Sequence, residues 1–282
     1  MLASPVSAII CSMNTVDRKD LPAWNWSYLV CYLLTGAISI ACFFLLGKRG
    51  FILPDSVYWV EAAALGLLIV TMIFSMVRKS ISYMWWETVL WLLSICGIWI
   101  LSLSILPLPW ALALSGVLTL IQYFLPRVFI SNISVLYGAA GIGLLIATKF
   151  PFLALLVCAI GVVAYEYLRA DNMSLATLFS EAMKVGITPG LLLPAQLKNW
   201  FAKNTIVWNP GVGKIAGLLP FIISSALLFQ LAVQPFFVVL AMILPCFVAW
   251  VWGMDTKREL RSWAFLATIV FSYILFGVFR ML

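Results

Sequence analysis

Apolar stretches of about the length needed to cross a lipid bilayer follow one another along almost the whole chain. A membrane-spanning helix needs about 20 apolar residues, and nine segments come close to that length: 26–47, 57–77, 85–106, 110–125, 131–148, 152–167, 215–231, 236–252 and 263–279. Of the 282 residues, 65% are hydrophobic and 10% are charged, and the mean hydropathy is +1.11. Soluble domains are about half apolar and one quarter charged. We therefore predict an all-α, polytopic membrane protein with nine transmembrane helices.

These segments divide the chain into four parts. Residues 1–25 precede the first span, residues 26–167 contain spans one to six, residues 168–210 form a long polar connection, and residues 211–282 contain spans seven to nine. Within the connection, apolar residues recur with helical spacing over 173–185, which predicts a helix on the membrane surface. Leu191–Leu193 lies between two prolines and is interpreted as a short strand or a re-entrant turn.

Lysine and arginine are distributed unevenly between the two sides of the predicted spans. Twelve of the 17 fall on the side of the N-terminus, four fall on the other side, and Lys214 lies at the membrane edge. Such residues are enriched in cytoplasmic loops. We therefore predict a cytoplasmic N-terminus, a cytoplasmic 168–210 connection and a C-terminus on the outside. The net charge of +7 is explained by these loops, so the lipid bilayer is the expected partner and nucleic acid is not.

Residues that bind metals are scarce. Histidine is absent, and no Cys-x-x-Cys spacing occurs. We interpret the cysteines as small buried apolar side chains and expect no disulfide, metal site or cofactor. The six cysteines are Cys11, Cys31, Cys42, Cys96, Cys158 and Cys246.

Four ionisable residues fall within the predicted spans or at their ends: Glu61, Glu87, Glu166 and Lys214. A charge in the bilayer is costly, so it usually has a partner or reaches water. Glu61 and Glu87 lie close enough to span ends to extend to the interface. Glu166 ends span six and Lys214 begins span seven, both on the cytoplasmic side. We predict an ion pair between them, and the alternative is that each reaches water separately.

The order of these elements resembles the presenilin and signal peptide peptidase family of intramembrane aspartyl proteases. That family has nine spans, a cytoplasmic connection after span six, and a Gly-x-Gly-Asp motif at the head of span seven. The corresponding residues here are Gly211-Val212-Gly213-Lys214, and Tyr165-Glu166 resembles the family's Tyr-Asp in span six. Asn132 in the fifth span and the Pro189–Pro194 segment are also similar. The resemblance covers roughly residues 107–282 and implies a presenilin-like bundle.

Both catalytic aspartates of the family are replaced in this chain. Lys214 stands at the second position. The first position holds Glu166 when the chain is aligned through Tyr165, or Val163 when it is aligned without gaps through Arg169 and Met173. The family's chemistry requires two aspartates that share a proton, and the five aspartates of this chain all lie outside the predicted spans: Asp17, Asp20, Asp55, Asp171 and Asp255.

The resemblance therefore implies a non-catalytic homologue that binds transmembrane segments of other membrane proteins. In that interpretation, Gly211 and Gly213 permit close backbone approach at the mouth of span seven. Two alternatives stay open. An active intramembrane endopeptidase would pair Glu166 with Glu61 or Glu87. A small-solute transporter or channel would need polar residues in the middle of its spans, where this chain has few.

Overall fold

The computed structural model describes residues 21–46, 57–64, 66, 70, 83–124, 127–169, 191–194, 197–203, 213–216, 218–232, 236–241, 243–244, 270–271, 274–275 and 277–278. These residues are mostly helical, which confirms the all-α prediction for this part of the chain. The principal helices are α1 (Leu21–Leu46), α2 (Tyr83–Ile105), α3 (Leu108–Phe124), α4 (Val128–Lys149), α5 (Phe152–Arg169) and α6 (Leu219–Leu231).

Helices α1 to α5 coincide with predicted spans one, three, four, five and six to within five residues at each end. Proline separates them, because it cannot donate the hydrogen bond that a helix interior requires. Among the described residues, two helices are long and apolar enough to cross a membrane: Ser27–Leu46 and Val128–Lys149. Residues 57–64 and 236–241 are helical within predicted spans two and eight. The surface helix predicted over 173–185 lies outside the described residues.

Two short strands form an antiparallel pair, which we call the ribbon: β1 (Leu191–Pro194) and β2 (Gly213–Ala216). The strand alternative for Leu191–Leu193 is thereby confirmed. A five-residue 3₁₀ helix, η1 (Leu197–Phe201), follows β1.

The predicted start of span seven is wrong. Helix α6 begins at Leu219, and Ile215 and Lys214 lie in β2. Glycines on both sides of Lys214–Ala216 disfavour a helix there, whereas Pro220 suits a first helical turn. The 13 residues of α6 extend about 20 Å, which is less than the roughly 30 Å hydrocarbon core.

Helices α2 and α4 meet through small residues. A Cβ atom added to Gly97 would overlap the backbone of Gly138, and one added to Gly141 would overlap the backbone of Gly97. Gly138 itself contacts Ser94. Because residue numbers rise together along the two helices at these contacts, α2 and α4 run in the same direction. Close backbone approach through glycine and serine is typical of helix pairs in membranes.

Helices α1, α4 and α6 also run in one direction. Cys31 lies beside Asn132 at one level, and Ser39 and Gly143 both contact Ser225 at a second. Farther along in the same direction, the Gln230 amide on α6 donates to the Ala147 carbonyl oxygen on α4. The hydroxyl oxygens of Ser39 and Ser225 are 2.8 Å apart. Ser39 is eight residues beyond Cys31, or about 12 Å along α1. One end of the bundle therefore lies near Asn132, and the opposite end lies near Lys149, where α4 ends.

The outward faces of the helices are apolar. On α5, the side chains of Leu153, Val157 and Ile160 are exposed at helical spacing. Aromatic side chains such as Trp59 and Trp110 are also exposed. An exposed apolar surface of this extent is unusual for a soluble monomer, and it is the surface that a membrane-associated helical protein requires.

Candidate functional site at the ribbon

Asn132 holds strand β1 by both of its amide atoms. Its Nδ2 donates to the Leu192 carbonyl oxygen at 2.7 Å, and its Oδ1 accepts from the Leu192 backbone N–H at 2.8 Å. Asn132 and Leu192 are fully buried. The side-chain amide thus takes the place of a neighbouring strand. In an apolar interior, unpaired backbone groups would be costly, so this double contact fixes the position of β1.

Ser27 forms a second anchor for β1. Its Oγ donates to the Pro194 carbonyl oxygen at 2.6 Å and accepts from the Nε1–H of Trp200 at 3.2 Å. Both side chains are buried. Strand β1 is therefore attached to α1 through Ser27 and to α4 through Asn132, and Trp200 of η1 binds the same Ser27 hydroxyl. Pro194 lacks an N–H, and its position at the end of the strand needs none.

The register of the ribbon shows which edge of β2 is open. Leu192 lies opposite Ile215, and Leu193 lies opposite Lys214. Because the backbone groups of Leu192 bind Asn132, they point away from β2, so Leu192 and Ile215 form a non-hydrogen-bonded pair. The N–H and C=O of Ile215 therefore point to the outer edge of the ribbon. In the described part of the chain, β2 is the last strand on that side.

The predicted site residues that the structure describes lie on two elements, β2 and α5, at the same end of the bundle. Lys214 and Gly213 are in β2, and Glu166 is in the last turn of α5. Gln230, at the end of α6, donates to the Phe150 carbonyl oxygen just before α5, so α5 runs back along α6 towards the ribbon.

Neither predicted charge has a described side chain. The side chains of Glu166 and Lys214, and those of Val163 and Tyr165, lie outside the described part of the structure, as does the whole of Gly211. The Glu166–Lys214 ion pair stays a prediction.

Glu61 lies at the opposite end of the bundle. Its Oε1 is 2.8 Å from the Lys149 Nζ at the end of α4, and that Nζ lies 5.7 Å from the centre of the Tyr58 ring. Glu61 is buried, whereas the Lys149 side chain is about half exposed at 45%. Helix α5 starts three residues after Lys149, and Glu166 is 14 residues farther, or about 21 Å. Glu61 therefore cannot share a proton with Glu166.

Potential metal ligands do not cluster in the described residues. No group of three Cys, Asp or Glu side chains lies together there. Cys31 and Cys42 are buried free thiols, as interpreted from the sequence, and Cys96 is partly buried. Cys158 differs because it is exposed on the outward apolar face of α5.

Comparison with known proteins adds no relative. No protein-family model matches the sequence, no curated protein matches it, and no solved structure matches the fold. The likeness to the presenilin family therefore rests on the residue motifs and on the order of the segments along the chain.

Proposed function

We propose that the chain is a non-catalytic, presenilin-like membrane protein of nine spans that binds a transmembrane segment of another protein along the outer edge of β2. The observation that carries this proposal is the direction of the Ile215 backbone groups. One edge of the ribbon is attached to α1 and α4, so within the described part of the chain the edge left for a partner strand is that of β2.

The position of the ribbon supports this mode of binding. Asn132 is the fifth residue of α4, about 6 Å from its start. Because α4 is long enough to cross the membrane, the ribbon lies near the boundary between hydrocarbon and headgroups. A partner segment that unwinds at this depth loses internal hydrogen bonds, which are costly to leave unmade in lipid. The outer edge of β2 offers new partners for those hydrogen bonds. Because β2 is paired with the anchored strand β1, this edge does not have to become ordered before it binds.

Two features favour binding without cleavage. All five aspartates lie outside the nine predicted spans, and Lys214 stands at the position that corresponds to the second catalytic aspartate in the presenilin resemblance. Of the two glutamates that could join Glu166, Glu61 is paired with Lys149. Glu87 is on α2, which packs against α3 and α4, whereas α5 packs against α6. A working pair of carboxylates therefore has no support from the described contacts.

The test is cross-linking of a single-span probe peptide to the full-length protein in nanodiscs. The peptide carries one photoreactive residue near its cytoplasmic end. Ile215→Pro removes the outward N–H while leaving the hydrogen bonds between β1 and β2, and we expect about tenfold weaker capture. Ile215→Ala is the matched control because it shortens the side chain and keeps the N–H.

Two results would overturn the proposal. Equal capture by wild type and Ile215→Pro would show that the β2 edge does not bind the probe. Mass spectrometry of the same samples detects cleavage, and cleavage that is lost in Glu166→Gln would show an active protease instead. An active family protease serves as the positive control for the probe.

A further inference from the structure

We infer that Arg127, Lys198 and Lys203 form a binding site for the headgroup of an anionic phospholipid, with the exposed ring of Phe201 inserted beside the acyl chains. This site lies at the ribbon end of the bundle. It does not depend on the binding of a partner segment along β2, because none of its four side chains belongs to the ribbon.

The three cations are brought together by backbone contacts. Arg127 and Lys203 form an isolated antiparallel bridge, and the Val128 N–H donates to the Ala202 carbonyl oxygen at 3.1 Å. Lys198 lies in η1, five residues before Lys203. Three of these steps lie in the 3₁₀ helix at about 2 Å each, and the two steps beyond Phe201 add at most about 3.5 Å each, so the two Cα atoms are at most about 13 Å apart. All three side chains are exposed.

Among the described side chains, no carboxylate lies beside this cluster. The only carboxylate whose side chain is described is that of Glu61, which is paired with Lys149 at the opposite end of the bundle. Three positive charges on neighbouring residues of these two segments repel one another. An anionic headgroup relieves that repulsion and releases counterions, as at other basic membrane surfaces.

The depth of the cluster matches the headgroup layer. Helix α4 has 22 residues and is about 33 Å long, close to the thickness of the hydrocarbon core. Arg127 immediately precedes this helix, and Lys149 ends it, so the two residues bracket the apolar layer. The cations near Arg127 therefore lie where lipid phosphates lie.

The exposed ring of Phe201 favours a lipid over a soluble phosphate as the ligand of this site. Its side chain is 67% exposed, and its ring lies 5.5 Å from that of Phe129. A 3₁₀ helix places residues three apart on one face, so Lys198 and Phe201 lie on the same face of η1, while Trp200 is buried against Ser27. One cationic and one apolar group on a single exposed face fit a headgroup with an attached acyl chain.

The test measures quenching of tryptophan fluorescence by brominated lipids in mixed micelles of the purified full-length protein. Dibrominated phosphatidylglycerol is compared with dibrominated phosphatidylcholine. Trp200, which adjoins Phe201 in the chain, is one of the 13 tryptophans that report quenching. The wild type should bind phosphatidylglycerol at the lower mole fraction. Replacing Arg127, Lys198 and Lys203 by Gln should weaken the apparent affinity for phosphatidylglycerol about fivefold per cation, on the order of a hundredfold together.

The matched control replaces three cations that the predicted orientation assigns to the other side of the membrane: Lys48, Arg49 and Arg280. They lie outside the described residues, and their replacement by Gln should leave the preference for phosphatidylglycerol unchanged. Equal effects of the two triple variants would overturn the site, and so would an unchanged preference in the first. Full displacement of the brominated lipid by millimolar inorganic phosphate would also overturn it, by assigning the cluster to a free anion.

A single replacement covers the case in which the triple variant does not fold. Lys198→Gln changes one exposed side chain and should weaken binding about fivefold. No change in that variant, together with no loss of binding by the wild type in 0.5 M salt, would contradict an electrostatic site.

Discussion

The two ends of the bundle stabilise buried polar groups in different ways. At the ribbon end, Asn132 and Ser27 satisfy the backbone of β1 with neutral hydrogen bonds in a fully buried setting. At the opposite end, a buried Glu61 meets a half-exposed Lys149. Neutral contacts fix geometry, because each donor has one acceptor at a fixed distance. A flexible lysine that reaches water tolerates movement. The ribbon end is therefore built for fixed position and the opposite end for charge balance.

The replacement of Asn132 by Leu tests this difference most strongly. It leaves the N–H and C=O of Leu192 without partners in a buried site, and we expect a loss of about 2–5 kcal/mol in the free energy of unfolding. Ser134→Ala is the matched control, since the Ser134 Oγ is buried and has no hydrogen-bond partner among the described residues. Denaturant unfolding in mixed micelles measures both, and equal effects would contradict a special role for Asn132.

The packing of α2 against α4 supports both ends of the bundle, and a substitution at their contact tests it. A methyl group at Gly97 would overlap the Gly138 backbone, so Gly97→Ala should force the helices apart and destabilise the protein by about 1–3 kcal/mol. Gly116→Ala on α3 is the control because a Cβ there meets no atom within 4 Å. That variant should be neutral or slightly more stable. Thermal unfolding in one detergent compares them, and an unaffected Gly97→Ala would show that the two helices are not tightly packed.

Ser27→Ala should have a smaller effect at the ribbon end. It removes the donor to the Pro194 carbonyl and the acceptor for Trp200, but the indole contact, at 3.2 Å, is longer and weaker than the two contacts made by Asn132. We expect a loss of about 1–3 kcal/mol, below that of Asn132→Leu. Hydrogen exchange should rise in β1 and η1 and stay unchanged at the end of α4. Faster exchange at both ends would show that the anchor is not local.

Much of the helical architecture could be predicted from the sequence, because apolar runs interrupted by proline leave few other choices. The boundaries of α4 and α5 follow in this way. The β2 strand could not be predicted at Gly213–Ala216, because a short apolar run is equally suited to the start of a helix. Its strand conformation depends on β1, which precedes it by about 20 residues.

The anchors of the ribbon were the least predictable part of the site. Asn132 is a single amide in an apolar segment, and its partner Leu192 is 60 residues away. Ser27 and Pro194 are 167 residues apart. Contacts between residues so far apart in the sequence leave no periodic pattern from which they could be predicted. The signal available was a polar residue in a predicted span, which points to an interior position but does not identify its partner.

The smallest effects are expected for the Glu61–Lys149 ion pair, and they test the role of charge at the opposite end of the bundle. Glu61→Gln replaces a buried carboxylate by a neutral amide, and Lys149→Gln leaves that carboxylate buried without a counter-charge. We therefore expect Lys149→Gln to lower the unfolding midpoint more than Glu61→Gln, and the double variant to recover part of the loss. Because Lys149 is half exposed, all three shifts should be smaller than that of Ser27→Ala. If the two single effects simply add in the double variant, the charges do not interact. The opposite end would then be held by apolar packing and by the Gln230 contacts alone.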